Sequence, residues 1–270
     1  VMQDSTPIMD HLETTYPQKP TQPENETLHF ISILLEEYGD EWLNKIMFHF
    51  RWHRDIDQTT SAYILARSFN PTAELETIDA TAQMIKKHMS SRGHFVGSSE
   101  ATAPLIQQYF FDLGELLEAH LESRPFLFGG KPVAGDFGTS AQVYEMSLDP
   151  TLGGHLRASY PNVLAWCLRM QDPQDRGSLE TWEQLSPTLN PILTNIASYF
   201  LPWSLANANA LVNGEEEFSV DLAGKTYTQQ PQKYHAKSLN VLRQKYKNFL
   251  TNDALNDILA ETNIKKTLYQ

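Results

Sequence analysis

Tyr38, Trp42, Ile46, His49 and His53 recur at three- and four-residue intervals, so on a helix they fall within about a quarter turn of one another. Aromatic rings grouped this way suit a flat apolar molecule, and a histidine beside them can steady an anionic group. The competing reading is that they pack against a neighbouring helix, with each histidine hydrogen-bonded once. His49 and His53, with Asp55 and Asp57 just beyond, also have metal-ligand spacing. However, Phe50 follows His49 where a zinc-hydrolase helix carries Glu, and the pattern fixes no third ligand, so no metal is expected. Arg51 and Arg54 fall on the opposite side, as solvated helix charges or as partners for Asp55, Asp57 or a substrate carboxylate. The chain has no Gly-x-Ser-x-Gly, and "GGKPVAG" lacks the spacing of a phosphate loop.

A second group opens the chain. Asp4, Ser5 and Thr6 precede Pro7, a helix start in which any of the three can cap. That helix should end near Thr15, because Pro17, Pro20 and Pro23 follow. The aromatic and histidine residues then lie on one long helix beginning near Leu28, with Gly39 as a point of bending or close approach. Residues 55–99 show little periodicity beyond a helix over 75–88, and "SSRGHFVGSSEATAP" reads as a polar, mobile segment. Leu105, Tyr109, Leu113, Leu116, Leu117 and His120 mark the next helix, which stops at Arg124-Pro125. Further helices are expected over 133–147, from Pro161, and over 189–212. Phe218, Val220 and Leu222 alternate before Ala223-Gly224 and Thr226-Tyr227-Thr228, a hairpin signal, and two short helices close the chain, the second capped by Asn252 or Asp253.

The 270 residues are enough to bury a large core without disulfides, and Cys167 is the only cysteine. Set in "NVLAWCLRM", it reads as a packed core residue in a reducing interior, so an intracellular protein, cytoplasmic or organellar, is expected. Acidic residues outnumber basic ones 33 to 21, a formal charge of −12, which argues against nucleic acid as a partner. No apolar run approaches the roughly 18 residues of a membrane span.

Three stretches in order resemble the glutathione transferase family. "QDSTPIMDHLE" is similar to the segment opening the last helix of that family's thioredoxin-like domain. "RPFLFGGKPVAGDFG" resembles the loop and capped helix of its all-helical domain, and "YPNVLAWCLRM" the Pro and Trp helix after it. The resemblance is closest to a longer subgroup with a C-terminal extension, in which a segment like "EEYGDEWLNKIMFHFRW" occurs. It implies a mainly α protein: the end of a thioredoxin-like domain and a linker over 1–23, the all-helical domain over 24–186, and a small α+β extension with a hairpin over 187–270.

It also implies that the thiol-activating Tyr, Ser or Cys would lie ahead of Val1, so that the chain begins at a torn edge. Asp4 and Ser5 would hold the γ-glutamyl end of glutathione as co-substrate. Tyr38, Trp42, His49 and His53 would border the cleft for a small soft electrophile, and the chain would form a homodimer or join a larger complex. The alternative is a non-catalytic interaction module or structural subunit. One departure stands out: the family's Ser or Thr cap falls on Val133, while its partner acid is kept as Asp136. Losing that hydroxyl should cost about 1 kcal/mol unless Lys131 or a loop carbonyl compensates.

Overall fold

A computed structural model describes residues 2–269. Its organising element is α2 (Glu26–Tyr38), started by Asn25, whose side chain accepts from the Leu28 amide. Every residue from Phe30 to Gly39 is buried, so this helix is apolar or small nearly all round and is enclosed on all sides. α1 (Ser5–Thr15) precedes it and buries none of its residues.

The expected long helix is interrupted. After Tyr38 the chain makes a π-helical turn over Gly39–Leu43 and resumes as α3 (Asn44–His53). Gly39 is both of the things its sequence position suggested. A Cβ there would sit 2.5 Å from the Gly138 carbonyl carbon, so the backbones of the π turn and α7 (Ala134–Leu148) touch directly. Ser32 and Thr139 stitch the same contact: Ser32 Oγ accepts from the Gly135 amide, and Thr139 Oγ1 donates to the Leu35 carbonyl.

Residues 55–99 differ from expectation. α4 (Asp55–Phe69) and α5 (Leu75–Ser90) form a helical hairpin with its own small core of Trp52, Ala62, Ala66, Ile78 and Ala82. α4 escapes a search for apolar periodicity because the residues it buries are Asp57, Ser61, Ala62 and Ala66. The "SSRGHFVGSS" segment is a docked 3₁₀ turn over Gly93–Val96, not a free loop. Its Phe95 and Val96 carbonyls accept from Gln229 and Tyr227 of the hairpin.

α6 (Ala103–Leu121) and α7 follow as expected, then α8 (Pro150–Ser159), which the sequence reading missed, and α9 (Pro161–Arg169). The helix expected over 189–212 is two, α10 (Trp182–Ser198) and α11 (Phe200–Asn213), broken at Tyr199. Pro202, which has no N–H and whose ring would crowd the Ser198 carbonyl in a continuous helix, falls at this break, although α10 carries Pro187 and Pro191 in its interior. β1 (Phe218–Leu222) and β2 (Lys225–Gln229) pair antiparallel, with Val220 opposite Tyr227. α12 (Lys233–Tyr246), α13 (Asp253–Glu261) and the short α14 (Lys265–Leu268) then pack back, α12 and α13 directly against α2. One contiguous core runs from Leu28 to Leu268, so the last third of the chain shares the interior of the rest.

The Asp136 site shows how the family-like turn survives without its hydroxyl. Buried Asp136 accepts from the Val133 amide (3.0 Å), the Leu127 amide (2.8 Å) and Trp166 Nε1 (2.8 Å). Val133 has no side-chain acceptor, and its own carbonyl takes the Asp136 amide at 2.8 Å. Half of a capping box thus remains, and it ties the 126–133 loop to α9.

Candidate functional site

A cluster of buried ionisable groups lies where α1, the π turn and α12 meet. Asp4 occupies the N-cap position of α1 with φ of +86° and makes no side-chain bond to the first-turn amides. Its Oδ2 instead accepts from the Tyr234 hydroxyl, at 2.5 Å. Thr6 Oγ1 donates to Glu36 Oε1 at 2.7 Å, and Lys245 Nζ reaches Asp10 at 2.9 Å. These contacts hold an otherwise exposed helix, whose Ile8 and Leu12 face outward at 38% and 45% exposure.

Beneath α1, three i, i+4 pairs line up across the π turn. Glu36 and Asp40 approach α1, Glu37 and Glu41 approach α12, and Tyr38 and Trp42 enter the core. Ser238 donates to Glu37, and His235 Nδ1 bonds Glu41 Oε2. Burial dominates the electrostatics. It pushes the carboxyls of Glu36 and Glu41 up to about 7, that of Glu37 to about 8 and that of Asp40 to about 6. Burial likewise pulls Lys45 down to about 7 and His235 to about 2. Lys45 is 1% exposed, its Nζ finds no hydrogen-bond partner among the described residues, and it lies 4.0 Å above the Trp203 ring. Burial thus favours the protonated form of these carboxyls and the neutral imidazole of His235 beside them.

Tyr38, Trp42 and His49 are 1–2% exposed. The Tyr38 hydroxyl bonds that of Tyr109, while Trp42 packs against Tyr109, Trp203 and Tyr227 at ring separations of 5.3–5.9 Å. α11 and the hairpin thus roof the aromatic group. His49 Nδ1 meets Ser98 Oγ at 2.7 Å and Nε2 meets Gln107 Nε2 at 3.2 Å, while burial lowers its pKa to about 4. His53, half-buried, stacks on it at 4.6 Å.

Two depressions, of about 1210 and 540 Å³, are lined by none of Asp4, Ser5, Tyr38, Trp42, His49 and His53. Asp57 accepts from Thr151, and Asp55 pairs with Lys86, so neither acid joins the histidines. Among the described residues no cluster of three or more His, Cys, Asp or Glu is arranged to hold a metal. Arg51 pairs with Asp149 and Glu145 rather than with Asp55 or Asp57. Cys167 is fully buried, its thiol pushed up to about 12 by burial, as befits a core residue.

The sequence reading missed Glu36, Glu37, Asp40, Glu41, Lys45, Tyr234, His235 and Ser238. A signal was available: "EEYGDEW" repeats acid, acid, aromatic at a four-residue interval.

Residues 72–169 match the family model for the glutathione S-transferase C-terminal domain, a span that runs from before α5 to the end of α9 and includes Asp136 and Trp166. No curated protein and no solved structure matches the chain. Among the described residues no helix is long and apolar enough to cross a membrane.

Proposed function

Residues 72–169 relate this chain to the glutathione S-transferase family, and on that premise we propose that it is the helical part of a glutathione transferase-like protein. Glutathione's γ-glutamyl end sits at the N-terminus of α1 on Asp4 and Ser5. The thiolate sulfur attacks a soft electrophile, a C–S bond forms, and the displaced group leaves with its electron pair.

The observation that supports this reading is the return of α12 to the start of α1. Tyr234 bonds Asp4, and His235 and Ser238 bond the carboxyls beneath it. The extension thereby closes over the point at which the family resemblance puts glutathione. An ammonium beside these acids would favour their ionised form, at the cost of displacing the protons that burial holds on them. Retention of the full-length protein on immobilised glutathione, with release by free glutathione, tests the reading.

A second reading is favoured by the burial of the aromatic group: with Tyr38, Trp42 and His49 enclosed and hydrogen-bonded, the chain would be a non-catalytic interaction module in a homodimer or larger assembly. It predicts no retention on glutathione, and protection of Ile8 and Leu12 from solvent when the partner is bound.

A further inference from the structure

Three of the chain's nine arginines, Arg124, Arg169 and Arg176, line one depression of about 290 Å³ between the end of α6, the 122–125 turn and the end of α9. Arg124 is fully committed there: Nε to Glu180 at 2.7 Å, NH1 to the His120 carbonyl and Thr188, and NH2 to the Gln184 carbonyl. Arg169 spends only Nε, on the Pro125 carbonyl at 3.1 Å. The exposed Arg176 side chain makes no hydrogen bond among the described residues.

The acids nearby are engaged elsewhere or stand apart. Glu118 accepts from the Asn162 and Val163 amides, Asp175 faces Lys131, Asp172 accepts from Gln174, and Glu180 holds Arg124. Glu122, which also lines the depression, forms no ion pair among the described residues. The two guanidinium groups therefore face one hollow whose lining carboxylate, Glu122, is paired with neither of them among the described residues. Burial and the charge of Arg176 both weigh against the charged form of Arg169. In a chain of net charge −12, two uncompensated, mutually repelling cations in one concavity are relieved by a bound anion.

We propose that this depression binds a small dianion, a phosphate monoester or a dicarboxylate, whose oxygens span Arg169 and Arg176. Guanidinium forks match paired anionic oxygens in a way that an ammonium does not. The volume lies at the lower end for small-molecule sites, room for one phosphoryl group or a short diacid. The site is remote from Asp4 and Ser5 in its lining and does not depend on the transferase reading.

The test is calorimetric titration and thermal unfolding of the full-length protein with potassium phosphate and potassium succinate, each against potassium chloride at matched ionic strength. The variant is Arg176→Gln, which removes no structural hydrogen bond. One or both anions should bind with unit stoichiometry and raise Tm above the chloride control. Affinity should fall roughly tenfold or more in Arg176→Gln. A response to phosphate alone assigns a phosphoryl ligand, and a response to succinate alone a diacid. Responses that do not exceed chloride for either anion, or that persist undiminished in Arg176→Gln, overturn the proposal.

Discussion

Replacing Glu37 with Gln isolates the electrostatics of the α12 contact. Glu37 is 6% exposed and accepts from Ser238; burial first, then the charges of Glu41, Glu36 and Asp40, raise its carboxyl from 4.5 to about 8. A carboxyl raised in the folded state contributes its full stability below the unfolded value near 4.5. That contribution is lost as pH rises through about 8. The rise sets a ceiling on the order of 5 kcal/mol for the cost of ionising Glu37 in place. Part of that cost belongs to its acidic neighbours, which shed it by holding their protons, so a single replacement should recover about 2 kcal/mol. Glu37→Gln keeps the acceptor for Ser238 and cannot ionise. Urea unfolding followed by tryptophan fluorescence should find the variant within about 0.5 kcal/mol of wild type at pH 5 and about 2 kcal/mol more stable at pH 9. An equal difference at both pH values, or a variant less stable at pH 9, would refute the reasoning.

Lys45→Met should show the opposite pH trend. A lysine lowered from 10.5 to about 7, chiefly by burial, contributes its stability above 10.5 and loses it as pH falls through 7. The variant should gain about 1–3 kcal/mol at pH 6 and little at pH 10, read by the same unfolding assay. Gly39→Ala should cost about 1–3 kcal/mol in chemical denaturation, since its Cβ would meet α7 backbone at 2.5 Å. Asp136→Asn presents an NH₂ to at least one of three donors and should cost about 1–3 kcal/mol, with loss of the ordered Trp166 signal in near-ultraviolet circular dichroism.

Much of the helical frame was legible because its buried faces are apolar and regular. Leu105 through His120, Pro161 through Met170 and the alternating Phe218, Val220 and Leu222 announce α6, α9 and β1. α4 was not, because a helix that buries Asp57, Ser61 and two alanines carries no apolar rhythm. Pro202 alone could not mark the break at Tyr199, since Pro187 and Pro191 lie inside α10, and the docking of residues 93–98 depends on Tyr227 and Gln229, more than a hundred residues away. The same distance hid most of the junction. Spacing put Tyr38, Trp42 and His49 on one helix face, but only tertiary structure reveals that α11 and the hairpin cover Tyr38 and Trp42 while His49 meets Ser98 and Gln107. That Tyr234, His235 and Ser238 return to Asp4, Glu41 and Glu37 is a long-range fact no local pattern carries.

The central claim is that glutathione is held where α12 meets the start of α1. Calorimetric titration of reduced glutathione into the full-length protein and into Asp4→Asn tests it most directly. Saturable binding, weakened roughly tenfold or more in the variant, is the predicted result. Absence of binding to wild type, or the same affinity in Asp4→Asn, would contradict it.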